Sequence, residues 1–302
     1  MKKLLWVTAF TAVLCFTFTL AGCSNPAVEP EASVSSSGRA SSSRTLTDLE
    51  IPLTLEARDE GTIISISNPW TTLIGKLNDS NAVFSVDANN GTKSITLAAG
   101  DKLTLYAQGS ENVHNNGSTT TMIIRCNRDH RCYLYGNIMS LVTLDNSGSW
   151  NPFAVTLTQD YAFTNLFYAE MDPCTGWYSD SLQNHPSKKL SLPATTLTQA
   201  CYRGMFRNNS GITKTPDLPA PVLVQECYSY MFYDCNNIRE IKCLATDISA
   251  QYCTEEWVLH VYSGAGTFTK KAGTNWNEGI QGIPLGWDRD NQEYIHWTVI
   301  EE

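Results

Sequence analysis

The chain has 302 residues, 42% of them hydrophobic and 17% charged. That is enough apolar material for one large or two modest globular domains, and it excludes disorder throughout. Thirty acidic against 21 basic side chains leave a net charge of −9, the wrong sign for a phosphate-tracking nucleic-acid binder or a polybasic membrane-surface protein. Ten cysteines without a usual metal motif point to an oxidising compartment or to stacked structural thiols.

Lys2 and Lys3 precede a mostly apolar run from Leu4 to Leu20 that ends in the small residues Ala21 and Gly22. The run is too short and too polar for a secure membrane span and reads as a secretory signal over residues 1–22. Its end, Leu20-Ala21-Gly22-Cys23, resembles the lipobox of bacterial lipoproteins, which implies a diacylglycerol on the sulfur of Cys23 and acylation of the new N-terminus. An ordinary cleavage site with an accidental cysteine is the alternative. Acyl chains contribute about 0.8 kcal/mol per buried methylene, so two or more hold the protein to a bilayer permanently. Residues 23–45, rich in serine and carrying Pro26 and Pro30, bury too little to offset their ordering entropy and form a tether about 25 Å in root-mean-square span.

Between residues 46 and 135 short apolar runs alternate: Leu53 and Leu55, Ile64 and Ile66, then Val83, Phe84 and Val86. Period two predicts strands, and several strands spaced by turns predict an antiparallel β-sandwich-like domain. Asn90-Gly91 predicts a hairpin between Val83–Val86 and Ile95–Leu97, and Gly100-Asp101 a turn before Leu103 to Tyr106. Asn112 to Thr121 reads as an exposed loop. Cys126 and Cys132 bracket Asp129 and His130. A small metal site is conceivable there, but the spacing fits no usual zinc pattern, and a local disulfide closing a hairpin is the favoured reading.

The second half repeats itself. Leu192-Pro193-Ala194 recurs 26 residues later as Leu218-Pro219-Ala220 and, degraded, as Leu244-Ala245-Thr246. In the same register Cys201-Tyr202-Arg203-Gly204-Met205-Phe206 becomes Cys227-Tyr228-Ser229-Tyr230-Met231-Phe232 and then Cys253-Thr254-Glu255-Glu256-Trp257-Val258. Leu197, Cys201 and Met205 stand four apart, as do Leu223, Cys227 and Met231, which predicts one apolar stripe on a short helix per unit. Thr195, Pro221 and Asp247 share the position ahead of the stripe and favour a helix start. The stretches from Ile212 to Leu218 and from Ile238 to Leu244 read as extended layers. One helix and one extended layer close no core alone, so neighbours must stack.

These units, Leu-Pro-Ala followed by Cys-Tyr-x-x-Met-Phe, resemble bacterial surface proteins with BspA-like leucine-rich repeats. Tyr161-Ala162-Phe163-Thr164-Asn165-Leu166-Phe167 resembles a diverged first unit, and Gly282-Ile283-Pro284-Leu285-Gly286-Trp287 a family-like end. The resemblance covers roughly residues 50 to 287 and is specific in the second half. It implies a lipid-anchored protein of the cell envelope, with the outer membrane and cell surface as its address, and no enzyme activity. The expected class is α+β: an antiparallel β-sandwich-like domain at 46–135, a short leucine-rich-repeat-like α/β solenoid with its cap at 136–287, and a C-terminal strand or tail at 288–302.

Phe167 and Phe206 are 39 residues apart, so the first unit carries an insertion around Tyr168 to Pro186 that holds Cys174, Trp177, Tyr178, Asp180 and His185. Insertions in repeat stacks map to one face, where Trp177 and Tyr178 would stack on a sugar or anchor a protein; alternatively Trp177 caps the open end. Cys201, Cys227 and Cys253 read as buried small hydrophobes in a ladder, and Tyr202 and Tyr228 as packing residues unless they point out of the stack. Ile295, Trp297 and Val299 alternate, predicting a terminal strand over one edge.

No nucleophile elbow, zinc-helix motif, phosphate loop or dinucleotide fingerprint is present. Asp288, Asp290 and Asn291 hint at a calcium loop but lack its glycine and closing glutamate. Catalytic residues, a metal and a cofactor are therefore not expected. The expected role is adhesion or interaction with a host or envelope protein or glycan, with a glycan-processing accessory protein and a purely structural lipoprotein as alternatives.

Overall fold

The structure, a computed structural model, describes residues 47–302 apart from 70, 79, 81–82, 88–90, 108–120, 145–146 and 171–178. The signal segment, Cys23, the tether, Asn90, nearly all of the loop at 112–121, Cys174, Trp177 and Tyr178 lie outside the described residues.

Among the described residues the first half supplies eight strands: β1 (Thr54–Ala57), β2 (Thr62–Ser67), β3 (Leu73–Leu77), β4 (Val83–Val86), β5 (Thr92–Leu97), β6 (Lys102–Ala107), β7 (Ile123–Cys126) and β8 (Cys132–Asn137). Period-two burial explains them. In β2, Thr62, Ile64 and Ile66 are buried while their neighbours are not, the alternation of a strand with one covered face. Strands β8-β1-β6-β3-β4 pair antiparallel in that order, and β5-β2-β7 form a second antiparallel sheet. Leu55, Leu103 and Leu105 of the first and Ile64, Ile66 and Ile124 of the second enter one buried cluster.

The hairpin expected at Asn90-Gly91 does not form. β4 pairs with β3 and β5 with β2, so the connection carries the chain from one sheet to the other. Gly91 (φ +73) supplies a left-handed turn whichever partners the flanks take, and partner choice is decided by the buried faces. The same holds at residues 127–131, since β7 and β8 belong to different sheets. Cys126 and Cys132 close no hairpin; both are free thiols, near enough for one to hydrogen-bond the other.

β8 has two partners on its far edge, both parallel: β9 (Leu182–Asn184) along Cys132–Leu134 and β10 (Leu190–Ser191) along Gly136–Asn137. The sheet thus runs across the boundary expected at 135/136, and residues 45–302 make one compact unit. Gly136 (φ +90) is required at this crossing, because a Cβ there would lie 2.1 Å from the carbonyl oxygen of Pro52.

The α+β class is overturned. Among the described residues there is no α-helix, only a 3₁₀ turn at Ile138–Leu141. Each expected helix is instead a coil of consecutive tight turns. Within the coil from Thr198 to Asn209, the N–H groups of Cys201, Arg203, Met205, Arg207 and Asn209 donate to carbonyls three residues back. Those of Ala200, Tyr202, Gly204, Phe206 and Asn208 donate instead to Gln225, Cys227, Ser229, Met231 and Tyr233 of the next coil. Every fourth residue is left-handed: Tyr161 and Asn165; Ala200, Gly204 and Asn208; Glu226, Tyr230 and Asp234; Tyr252, Glu256 and His260. A left-handed non-glycine residue costs about 1–2 kcal/mol, and inter-coil hydrogen bonds of about 1 kcal/mol each, together with the packing beneath, offset it. The positions predicted as helix starts link coils instead: Asp247 donates its N–H to the carbonyl of Pro221, and Thr195 to that of Val155.

Two aromatic columns run through the stack. Phe163, Tyr202, Tyr228 and Trp257 form one, and Phe167, Phe206, Phe232 and Trp257 the other, with successive ring centroids 5.5–6.2 Å apart. Trp257 ends both columns, and its indole N–H donates to the carbonyl of Gly282 at 3.0 Å. Cys201, Cys227 and Cys253 lie buried beside the columns. The extended layers stack in parallel as β11 (Glu240–Cys243), β12 (Thr267–Lys270) and, beyond the hairpin of β13 (Leu285–Asp288) and β14 (Glu293–His296), β15 (Thr298–Glu301). The single terminal strand expected is thus split at the buried Trp297: β14 pairs with β13, and β15 covers the edge of β12.

Candidate functional site

Where the β8 edge meets the first repeat layers, a cavity of about 400 Å³ opens. One wall is the loop between β9 and β10, residues 185–189; the other is the extended segment from Lys214 to Pro219. Leu134, Leu192, Phe206 and Ile212, all buried, form its apolar floor. Pro193 and Pro219, the prolines of two successive Leu-Pro-Ala motifs, both line it, with Pro186 and Pro216. Proline fixes φ and offers no N–H, so these walls are stiff and need few hydrogen bonds of their own. Asn184 of β9 ties the walls together. Its amide oxygen accepts from the N–H groups of Thr213 (2.8 Å) and Lys214 (3.1 Å), and its NH₂ donates to the carbonyl of Lys214 at 2.9 Å.

Lys188, Lys189, Lys214 and Asp217 line the cavity, and carboxylates just outside the lining offset two of the lysines. Lys214 pairs with Glu240. Lys188 lies 3.5 Å from Glu56 and 4.1 Å from the centroid of the Tyr135 ring, and the Tyr135 hydroxyl donates to Glu56 at 2.8 Å. Lys189 has no ion pair among the described residues. The hydroxyl of Thr215, a residue only 4% exposed, has no hydrogen-bond partner.

His185 fastens the loop. Its Nδ1 accepts from the N–H groups of Ser187 and Lys188, both at 3.1 Å, and its ring lies edge-on to Tyr133 and Tyr135 with centroids 5.0 Å away. Burial, reinforced by the charge of Lys188, holds its pKa below the ordinary histidine value, and Glu56 opposes this only in part. The neutral ring is the form that can accept both loop N–H groups. A His, Glu, Tyr and Lys in contact can move protons, and the Ser187 hydroxyl stands 3.5 Å from His185 Nδ1, but Nδ1 already accepts from the two loop N–H groups, and the visible work of these groups is to hold the cavity wall.

Of the residues singled out from sequence, Tyr202 and Tyr228 are 1% exposed and stack within the core; burial corrects their candidacy as ligand contacts. Trp177 and Tyr178 lie outside the described residues, as does Cys23. Asp180, from the same insertion, bonds Arg131 at 2.8 Å. His130 Nδ1 faces the side-chain amide of Asn127 at 2.7 Å, and among the described residues no three His, Cys, Asp or Glu side chains converge on a metal position. Asp288 accepts from the N–H groups of Asp290 and Asn291 and so closes the β13–β14 turn, with those bonds lowering its pKa. The lysines at 188, 189 and 214 were missed. Their only sequence signal is a Lys-Lys pair directly after Pro186 and Ser187 in an acidic chain, and nothing local links it to residue 214.

No protein-family model matches the chain, and no curated protein or solved structure is significantly similar to it. Among the described residues no helix is long and apolar enough to cross a membrane.

Proposed function

We propose that this chain is a lipid-anchored protein of the cell envelope that captures a partner molecule at the cavity between the β9–β10 loop and the repeat layers. The anchor rests on the signal and lipobox-like sequence ending in Cys23 and on the resemblance to bacterial surface lipoproteins. The observation that carries the binding role is the cavity itself, a preformed concavity of ordinary ligand-site size with an apolar floor and proline-stiffened walls. Coils locked by inter-layer hydrogen bonds make such a surface rigid before any ligand arrives, which lowers the entropy lost on binding. Proton-transfer chemistry at His185 and Glu56 is the weaker reading, because both are committed to holding the loop.

Cells carrying the full chain, its Cys23→Ala form and an Ile212→Trp form that fills the cavity provide the test. The parent partitions with membranes, Cys23→Ala does not, and arrays of proteins, glycans and small metabolites retain cells bearing the parent but not those bearing Ile212→Trp. Membrane association unchanged by Cys23→Ala refutes the anchor. Retention indifferent to Ile212→Trp, with the variant folded by circular dichroism, refutes the cavity as the binding site.

A further inference from the structure

We infer that Cys126 and Cys132 are a dithiol that an external disulfide oxidises to a reversible link between the two sheets of the first half, with Cys126 as the point of entry. This goes beyond the binding role proposed above and does not rest on it. Cys126 ends β7 and Cys132 begins β8, strands of different sheets, so the link ties sheet to sheet and closes no hairpin. Two observations bring the thiols together. They are near enough for one to hydrogen-bond the other. Both residues are also bound to Ser181, whose hydroxyl donates to the Cys126 carbonyl at 3.3 Å and whose own carbonyl accepts from the Cys132 N–H at 2.8 Å.

Access sets the order of events. Cys126 is 7% exposed and lines a concavity of about 200 Å³ with Arg125, Arg128 and Asn209, whereas Cys132 is 0% exposed behind it. Burial pushes the Cys132 thiol up, which makes it the poorer nucleophile toward a disulfide in solution. In the first step Cys126 gives up its proton and attacks one sulfur of the external disulfide. An S–S bond forms to Cys126, and the other half leaves as a thiolate and takes up a proton. Cys132 then gives up its proton and attacks the Cys126 sulfur, the mixed disulfide breaks, and the second half leaves in the same way. Two electrons pass from the two cysteines to the external disulfide, which ends as two thiols. The second step is intramolecular and uses a thiol already held at its target, so the mixed disulfide is short-lived.

The test is incubation of the folded chain from residue 23 onward, with Cys23→Ser to remove the lipid, in oxidised glutathione at pH 8. Free thiols are then blocked with N-ethylmaleimide and the chain is digested with trypsin without reduction. Arg125, Arg128 and Arg131 part the two cysteines on digestion, so the link is read as Cys126-Asn127-Arg128 joined to the peptide that begins at Cys132. The link forms in the folded chain, is removed by dithiothreitol, and raises the melting temperature by about 5 °C. Cys126→Ser abolishes the link and the shift, and Cys132→Ala stops at a glutathione adduct on Cys126. The map of the parent decides the pairing whether or not the variants fold. Both thiols still free after oxidation, a link that forms only in urea, or a pairing of either residue with another cysteine overturns the inference. A glutathione adduct that persists on Cys126 of the parent, or one that forms on Cys132 in Cys126→Ser, overturns it as well.

Discussion

Phe232 stacks on Phe206 with ring centroids 5.8 Å apart and planes 11° from parallel, and the two residues occupy the same position of successive 26-residue units. The contact shows how the repeat works. Each coil spends its alternate N–H groups on the next coil, and the layer spacing this fixes is one at which aromatic rings stack in parallel with their faces offset. Phe232 is fully buried, so Phe232→Ala should lower stability by about 3–5 kcal/mol. Urea unfolding followed by tryptophan fluorescence measures it, and a loss below about 1 kcal/mol would mean that the column contributes little.

Tyr252 is left-handed (φ +57) and 52% exposed. In an α-helix, Tyr252→Gly would destabilise by several tenths of a kcal/mol, the gap between Tyr and Gly propensities. In the turn coil it removes a left-handed strain of about 1–2 kcal/mol, partly offset by the greater freedom of glycine in the unfolded chain. The urea midpoint should therefore stay constant or rise. A clear fall would speak for the helical reading.

His185 carries a pH dependence whose sign is determined by its burial. Its folded pKa lies below the unfolded value of 6.5, so the unfolded chain binds more protons in the window between the two. Its contribution is complete above the unfolded pKa and is lost as pH falls below it toward the folded pKa. Unfolding midpoints measured from pH 7.5 down to 5 should fall in the parent more steeply than in His185→Gln, which has no proton to take up. Parallel profiles would rule out this titration.

The repeat cysteines should be chemically silent. Burial pushes the Cys201 and Cys243 thiols up to about 12 and those of Cys227 and Cys235 higher still, so almost no thiolate exists at neutral pH. Iodoacetamide at pH 8 should leave these four unlabelled in the native chain and modify them in urea, as read by peptide mass spectrometry. Native labelling at any of them would mean that the coil opens locally.

Several features were legible in the chain because they are local or repeated. Alternation placed the strands around Leu55 and Ile64, the turn at Gly100-Asp101 the strand after it, and the 26-residue recurrence placed Tyr202 under Tyr228. The coil type was not legible. Apolar residues four apart, as in Leu197, Cys201 and Met205, drift only about 40° per step on a helix of 3.6 residues per turn, so three of them fit a helical stripe as well as a turn coil. The distinguishing signal lay in the residues at the same spacing that tolerate left-handed backbone, Asn165, Gly204, Asn208 and Asp234.

What the sequence by itself determined is therefore several of the strand positions and the register of the stack, since each follows from side chains a fixed number of residues apart. Tertiary structure alone decided that β4 and β5 part company at Asn90-Gly91, that the units coil in turns, and that Lys189 and Thr215 share a cavity. The reason is the same in each case. Strand partners are chosen by buried faces and not by the turn between them; left-handed residues are tolerated only when a neighbouring coil accepts the freed N–H groups; and residues 26 apart meet only once the layers have stacked.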